Sequence, residues 1–135
     1  EDVGLSALVD ALPQGTDTQL GTQWGGVDLS GGEWQRLALA RLLMSPATIW
    51  MLDEPTSAID AETEERIFAM LRRYAAERTI ILISHRAWTL READEIYVLR
   101  DGTICQQGSF DELVHQPGYF AELFRNQLID TGHDS

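Results

Sequence analysis

Residues 29–60 read LSGGEWQRLALARLLMSPATIWMLDEPTSAID. A Ser-Gly-Gly turn runs into an apolar helical segment, Gly31 to about Met44, that breaks at Ser45-Pro46. An apolar run, Ile49-Trp50-Met51-Leu52, then leads straight into two adjacent carboxylates, Asp53 and Glu54. This pattern predicts a helix N-terminus followed by a buried strand with an acidic tip. Each half has a physical use. Backbone N–H groups at a glycine-rich helix start attract a phosphate, and a carboxylate at the carboxyl end of a buried strand can hold a metal ion beside it. Two adjacent acids can also be a helix cap or a solvated turn, but the entirely apolar run before them favours a site. Together the two halves suggest nucleotide chemistry.

The flanks extend the pattern. Ile67, Met70, Leu71 and Tyr74 form one helical face, while Glu62, Glu64, Glu65, Arg72 and Arg73 read as a solvated one. Thr79 to Ile83 is a second apolar run, so strand, helix, strand predicts a parallel crossover unit. Neither run alternates with polar residues, as expected of parallel strands covered on both faces. His85 is expected to end the second strand on the same edge as the acids, where an imidazole could donate a hydrogen bond to a phosphate. The signature of the segment Gly31 to Met44, apolar on most sides, is that of a buried helix, with Arg36 and Arg41 as salt bridges or snorkelling stems.

Upstream, Leu5, Leu8, Val9 and Leu12 sit at helical spacing before the stop Pro13-Gln14-Gly15. A loop to Asp28 follows, in which Trp24 is either a local packing anchor or a partner contact. Downstream, Asp101-Gly102 between Glu95–Leu99 and Thr103–Cys105 predicts an antiparallel hairpin. Two closing helices follow, the second with Phe120, Leu123, Phe124 and Gln127 at helical spacing, and the polar tail from Asp130 is expected to fray.

With 135 residues the chain can bury one modest core, and 44% hydrophobic with 24% charged residues is an ordinary globular composition. A net charge of -12 repels a phosphate backbone, so nucleic acid is not an expected partner. No run approaches the roughly 18 apolar residues of a membrane span, and no signal peptide is legible. The lone Cys105 fits a reducing compartment and reads as a small residue packed in a strand. His115 and His133 read as structural, and Cys and His are not spaced for zinc.

LSGGEWQR resembles the signature motif of ATP-binding cassette (ABC) ATPases, and IWMLDEPTSAID resembles their Walker B strand followed by the D-loop. Ser84-His85-Arg86 resembles the switch-histidine loop, and Thr18-Gln19-Leu20-Gly21 with Gly25 resembles the segment before the signature in the exporter branch. Asp94–Leu99 through Gly108–Leu113 looks like the exporter pattern for that region. The resemblance covers nearly the whole chain, with its motifs in the family order. It departs at Gln19 and Gln23, where acidic residues are expected, and at Glu33, where many members have Gln.

The resemblance implies an α/β fold: a partial P-loop NTPase (RecA-like) core with parallel strands and a C-terminal β-hairpin, preceded by part of the helical subdomain. Residues 1–46 would belong to that subdomain and 47–135 to the core. The phosphate-binding loop G-x-x-x-x-G-K-[ST] is absent and the chain contains no Lys, so it reads as the C-terminal part of a nucleotide-binding domain, inactive alone. ATP and Mg²⁺ are the implied cofactors, with Asp53 as metal ligand, Glu54 polarising the attacking water and His85 at the γ-phosphate. Ser30, Gly31 and Gly32 would touch ATP held by a second nucleotide-binding domain, with Glu33 beside them turned to solvent or to an Arg. Ser57 and Asp60 would lie along that interface. A Cβ at the glycines would hold the backbone off the phosphate. The other implied partner is a transmembrane domain, which places the chain on the cytoplasmic face of a bacterial membrane as part of an exporter. The alternative is a soluble cassette ATPase of chromosome maintenance or translation, against which the acidity stands.

Overall fold

The computed structural model describes residues 3–130, with side chains to Arg125. His133, Gln127's side chain and the tail from Thr131 lie outside the described residues. Two compact units divide between Ile83 and Ser84.

In the first unit, α1 (Ser6–Ala11) is followed by two 3-10 turns, Gly15–Asp17 and Thr22–Trp24. The segment predicted as loop is tied together by a Leu20–Val27 bridge, with Gly21 N–H donating to Val27 O at 2.9 Å. Then come α2 (Gly31–Leu43), β1 (Ile49–Asp53), α3 (Ala61–Ala75) and β2 (Thr79–Ile83). Strands β1 and β2 pair in parallel, Ile49 opposite Thr79 through Asp53 opposite Ile83, which is the predicted crossover. Asp60 caps α3 by accepting from Thr63 N–H at 2.9 Å, and Glu62 at its start with Arg72 and Arg73 at its end suit the helix dipole. Ile67, Phe68, Met70 and Leu71 pack with Trp50 and Leu52 of β1, Leu39 of α2 and Val3 and Leu5, so the core runs across the Pro46 boundary.

Arg78 stitches the strand entry. Its guanidinium lies 4.7 Å from the Trp50 ring and donates to Ser45 O and Ala47 O. Arg36, read as a salt bridge or snorkelling stem, donates to Gly4 O at 2.9 Å and pins the N-terminal segment to α2.

Three sequence expectations are corrected here. The strands are covered on one face only: Trp50 and Leu52 are buried, whereas Ile49, Met51, Ile81 and Ile83 are exposed, Met51 by 71%. Period-2 geometry puts the second set on the opposite face. Helix α2 is likewise not enclosed, since only Leu39 is fully buried and Met44 at its end is exposed. Glu64, assigned to the solvated face, is 3% exposed and accepts a hydrogen bond from Thr56 Oγ1. That bond offsets the desolvation that kept it off the expected core face.

The second unit contains α4 (Ala87–Arg91), β3 (Ile96–Arg100), β4 (Thr103–Gly108), α5 (Phe110–His115) and α6 (Tyr119–Asp130). β3 and β4 form the predicted antiparallel hairpin, with Asp101 and Gly102 at φ +51° and +76°, the left-handed pair that a two-residue turn requires. The register shifts after Val98, which leaves Cys105 as the extra residue of a bulge. Cys105 is therefore exposed rather than packed. Ile96, Val98, Phe110, Leu113, Phe120 and Phe124 form the core of this unit, and Gln106 Oε1 accepts from Phe120 N–H at 2.8 Å to seat α6. His115 keeps a structural place, its Nδ1 2.7 Å from Asp111 O one turn back.

Candidate functional site

The acidic tip forms where β1 ends. Asp53 is the last residue of the strand and is exposed, and Glu54 N–H still follows the sheet, donating to Ile83 O at 3.0 Å. Glu54 then turns. Its φ is +46°, a left-handed conformation costing about 1–2 kcal/mol for a residue with a Cβ. The tip therefore does not continue extended into Pro55. A proline disfavours right-handed helix at the residue before it, and Glu54 resolves the constraint in the left-handed region, opening a turn over Pro55–Ala58. Its carbonyl accepts from Ser57 N–H at 3.3 Å.

Gln35, one turn into α2, holds this turn from the side. Its Nε2 donates to Glu54 O at 3.3 Å and to Ser57 Oγ at 2.7 Å, while its Oε1 accepts from Ala58 N–H at 3.0 Å. The start of α2 packs equally closely. A Cβ at Gly32 would lie 2.5 Å from Ala58 O, whereas one at Gly31 would meet only the Ala58 Cβ at an ordinary 3.7 Å. Gly32 is therefore required by the protein's own turn.

Ser30 and Glu33 form a reciprocal capping box on α2. Ser30 Oγ accepts from Glu33 N–H at 3.3 Å, and Glu33 Oε2 accepts from Ser30 N–H at 2.7 Å. The hydrogen bonds from Ser30, backbone first and then side chain, hold the Glu33 carboxyl below the ordinary carboxylate range, with Arg36 a smaller contributor. Glu33 therefore bends back onto its own helix cap at a solvent-accessible position, with Arg36 only a minor partner. The N–H groups of Gly31 and Gly32, as the first two helical residues, have no acceptor within the helix and are the donors that remain for an anion. Asp60 is similarly committed, its carboxyl lowered by the Thr63 backbone and hydroxyl bonds.

Asp53 suits a hard cation in one respect: it is an exposed carboxylate at the carboxyl end of a parallel strand. Among the described residues no three His, Cys, Asp or Glu side chains cluster for a metal. A Mg²⁺ ion there would take one carboxylate, with phosphate and water oxygens completing its shell, which is its usual habit at phosphates. His85 does not end β2, which stops at Ile83; it sits in the segment before α4, where Arg86 N–H donates to Ser84 Oγ at 3.1 Å. It is exposed.

The first unit thus brings together Ser30, Gly31, Gly32, Asp53, Glu54 and Ser57 around one turn. Sequence reasoning missed Gln35, Thr56 and Glu64. The only signal for Gln35 was a neutral amide inside an apolar helix, one turn past the glycines; Thr56 and Glu64 lie eight residues apart across an irregular turn and share no periodicity.

Comparison with known proteins bears on this arrangement. Residues 5–57 match the family model described as ABC transporter. The chain is 50% identical over 118 residues to the beta-(1-->2)glucan export ATP-binding/permease protein NdvA of Rhizobium johnstonii, covering 87% of this chain and 20% of that protein. It is 43% identical over 124 residues to the mitochondrial potassium channel ATP-binding subunit of Rattus norvegicus, covering 92% of this chain and 17% of that one. Among solved structures, a bacterial Atm1-family ABC exporter with ATP bound superposes with a TM-score of 0.83 at 38% identity, over 93% of this chain and 22% of that one. The chain spans about a fifth of the length of these relatives.

Proposed function

Because the chain belongs to the ATP-binding cassette family of ABC transporters, exporter type, we propose that in its parent protein it helps build an ATPase that drives export across a membrane. The observation that carries this reading is the joining of two features by one side chain: Gln35 ties the glycine start of α2 to the Asp53-Glu54 tip. Phosphoryl transfer to water needs both a phosphate donor set and a carboxylate pair, and Gln35 holds in fixed relation the donor set that faces the second domain's ATP and the carboxylates that serve this domain's own.

Asp53 is the proposed ligand for Mg²⁺, which when bound supplies charge neutralisation at the phosphates. Glu54, half-buried on its left-handed turn, orients and polarises a water as general base. His85 is assigned a hydrogen bond to the γ-phosphate. The N–H groups of Gly31 and Gly32 and the Ser30 hydroxyl face ATP bound by a second nucleotide-binding domain, and Ser57 lies on the same interface. Glu33 and Asp60 act through helix capping. Residues 1–46 are assigned to the helical subdomain and 47–135 to the RecA-like core, which the remainder of the parent domain completes on the exposed face of β1 and β2. No helix among the described residues is long and apolar enough to cross a membrane. By the family likeness, the membrane-spanning part belongs to other segments of the parent and this chain to its cytoplasmic face.

The test is Glu54→Gln in the full-length parent. ATP binding should persist while steady-state turnover falls by roughly two to four orders of magnitude, the usual share of a general base. Hydrolysis near the wild-type rate would remove Glu54 from the chemistry.

A further inference from the structure

We propose that Gln35 is a positioning residue for the hydrolytic step, clamping the turn from Glu54 to Ala58 so that the Glu54 carboxylate keeps one orientation. The proposal rests on the reading that Glu54 polarises the attacking water. A primary amide offers two N–H donors and a carbonyl acceptor, and Gln35 uses all of them on this turn: Glu54 O, Ser57 Oγ and Ala58 N–H. One side chain thus bonds to both ends of the turn.

The turn has reason to need a clamp. Glu54 sits at φ +46°, outside the conformations that its side chain favours. Pro55 has no N–H to donate, and the Ser57 N–H that reaches the Glu54 carbonyl does so at a long 3.3 Å. Ser57 and Ala58 are exposed, so water can replace Gln35 at their polar atoms. Removing the amide therefore relaxes the turn without leaving a buried group unsatisfied. The loss falls on the direction of the carboxylate, and a displacement of about 1 Å at a reacting group costs on the order of a hundredfold in rate.

Two substitutions separate the bonds. Gln35→Glu keeps the acceptor for Ala58 N–H, and the Ser57 hydroxyl can rotate to donate to it, but Glu54 O loses its side-chain donor and faces a carboxylate oxygen. Gln35→Met keeps the length and removes all three bonds. In the full-length parent, both variants should lower kcat by about tenfold to a hundredfold while the dissociation constant for Mg-ATP stays within about twofold. Hydrogen exchange at the Ala58 amide should quicken in Gln35→Met and not in Gln35→Glu. The double variant Gln35→Glu with Glu54→Gln should turn over no more slowly than Glu54→Gln alone, because a residue acting through Glu54 has nothing left to position. Wild-type kcat in both single variants, loss of ATP binding in Gln35→Glu, or a further drop in the double variant would each overturn the proposal. Should Glu54→Gln itself hydrolyse normally, the catalytic reading fails instead, and the Ala58 exchange result still reports whether the clamp exists.

Discussion

At the residue scale, the two glycines that open α2 are not equivalent. Both were expected to be small so that a phosphate could approach, and for Gly31 the structure leaves that reason standing, since an added Cβ meets only the Ala58 Cβ at 3.7 Å. At Gly32 the added atom would lie 2.5 Å from Ala58 O, a backbone atom that cannot move without shifting the turn. Gly32→Ala should therefore destabilise the domain by about 1–3 kcal/mol, the usual range for forced overpacking, and lower turnover as the turn shifts. Gly31→Ala should leave stability close to wild type. Denaturant unfolding of the two variants checks the contrast, and equal losses would mean that the close approach at Gly32 is not the constraint. That constraint could not be read from Leu29-Ser30-Gly31-Gly32 alone, because the obstructing atom comes from a turn 26 residues later.

At the scale of elements, α2, α3 and α5 each begin on a hydrogen-bonded cap whose carboxylate titrates low. Glu33 and Glu112 are lowered by the backbone and hydroxyl of Ser30 and Ser109, and Asp60 by those of Thr63. A depressed folded value means that the fold favours the charged form. The capping contribution is thus complete above the ordinary glutamate value of 4.5 and is lost as the pH falls through the lower, folded values. Carbon-detected NMR of the labelled ATPase domain should show Glu33 titrating below 4.5, and a titration at or above that value would rule out the capping box. Glu33→Gln keeps an acceptor for Ser30 N–H and should remove this part of the acid sensitivity. The Ser-x-x-Glu spacing of 30–33 is that of a capping box, and the reciprocal bonds between Ser30 and Glu33 bear the pattern out.

At the scale of the whole molecule, the exposed set Ile49, Met51, Ile81 and Ile83 marks a parallel sheet with one face covered among the described residues. Parallel sheets are stable when layered on both faces. A shallow depression of about 260 Å³, lined by Gln35, Leu39, Leu42, Met51 and Pro55 among others, continues this surface toward α2. The 135-residue stretch also has no Lys to neutralise a triphosphate. Taken alone it should give no saturable heat in calorimetric titration with micromolar Mg-ATP, because it holds neither a G-x-x-x-x-G-K-[ST] loop nor a Lys to meet the phosphates. Tight binding with turnover by the isolated stretch would overturn its assignment as part of a larger ATPase domain.

The order of elements, the crossover between β1 and β2, the Asp101-Gly102 hairpin and the acidic strand tip were all legible in the sequence, because each depends on local periodicity, turn chemistry or adjacency. Ser30, Gly31, Asp53, Glu54 and His85 stand out in the sequence as candidates for a second reason: they lie in short motifs in the family order. Which face of each strand is covered, the left-handed turn at Glu54, the burial of Glu64 on Thr56 and the Gln35 clamp were decided only by tertiary structure. Strand coverage depends on apolar packing from α2, α3 and the N-terminal segment, and the last two on pairs 8 to 23 residues apart that meet across an irregular turn. A hydrogen bond between such pairs leaves no period in the chain, and its partners become visible only when the backbone brings them within 3 Å.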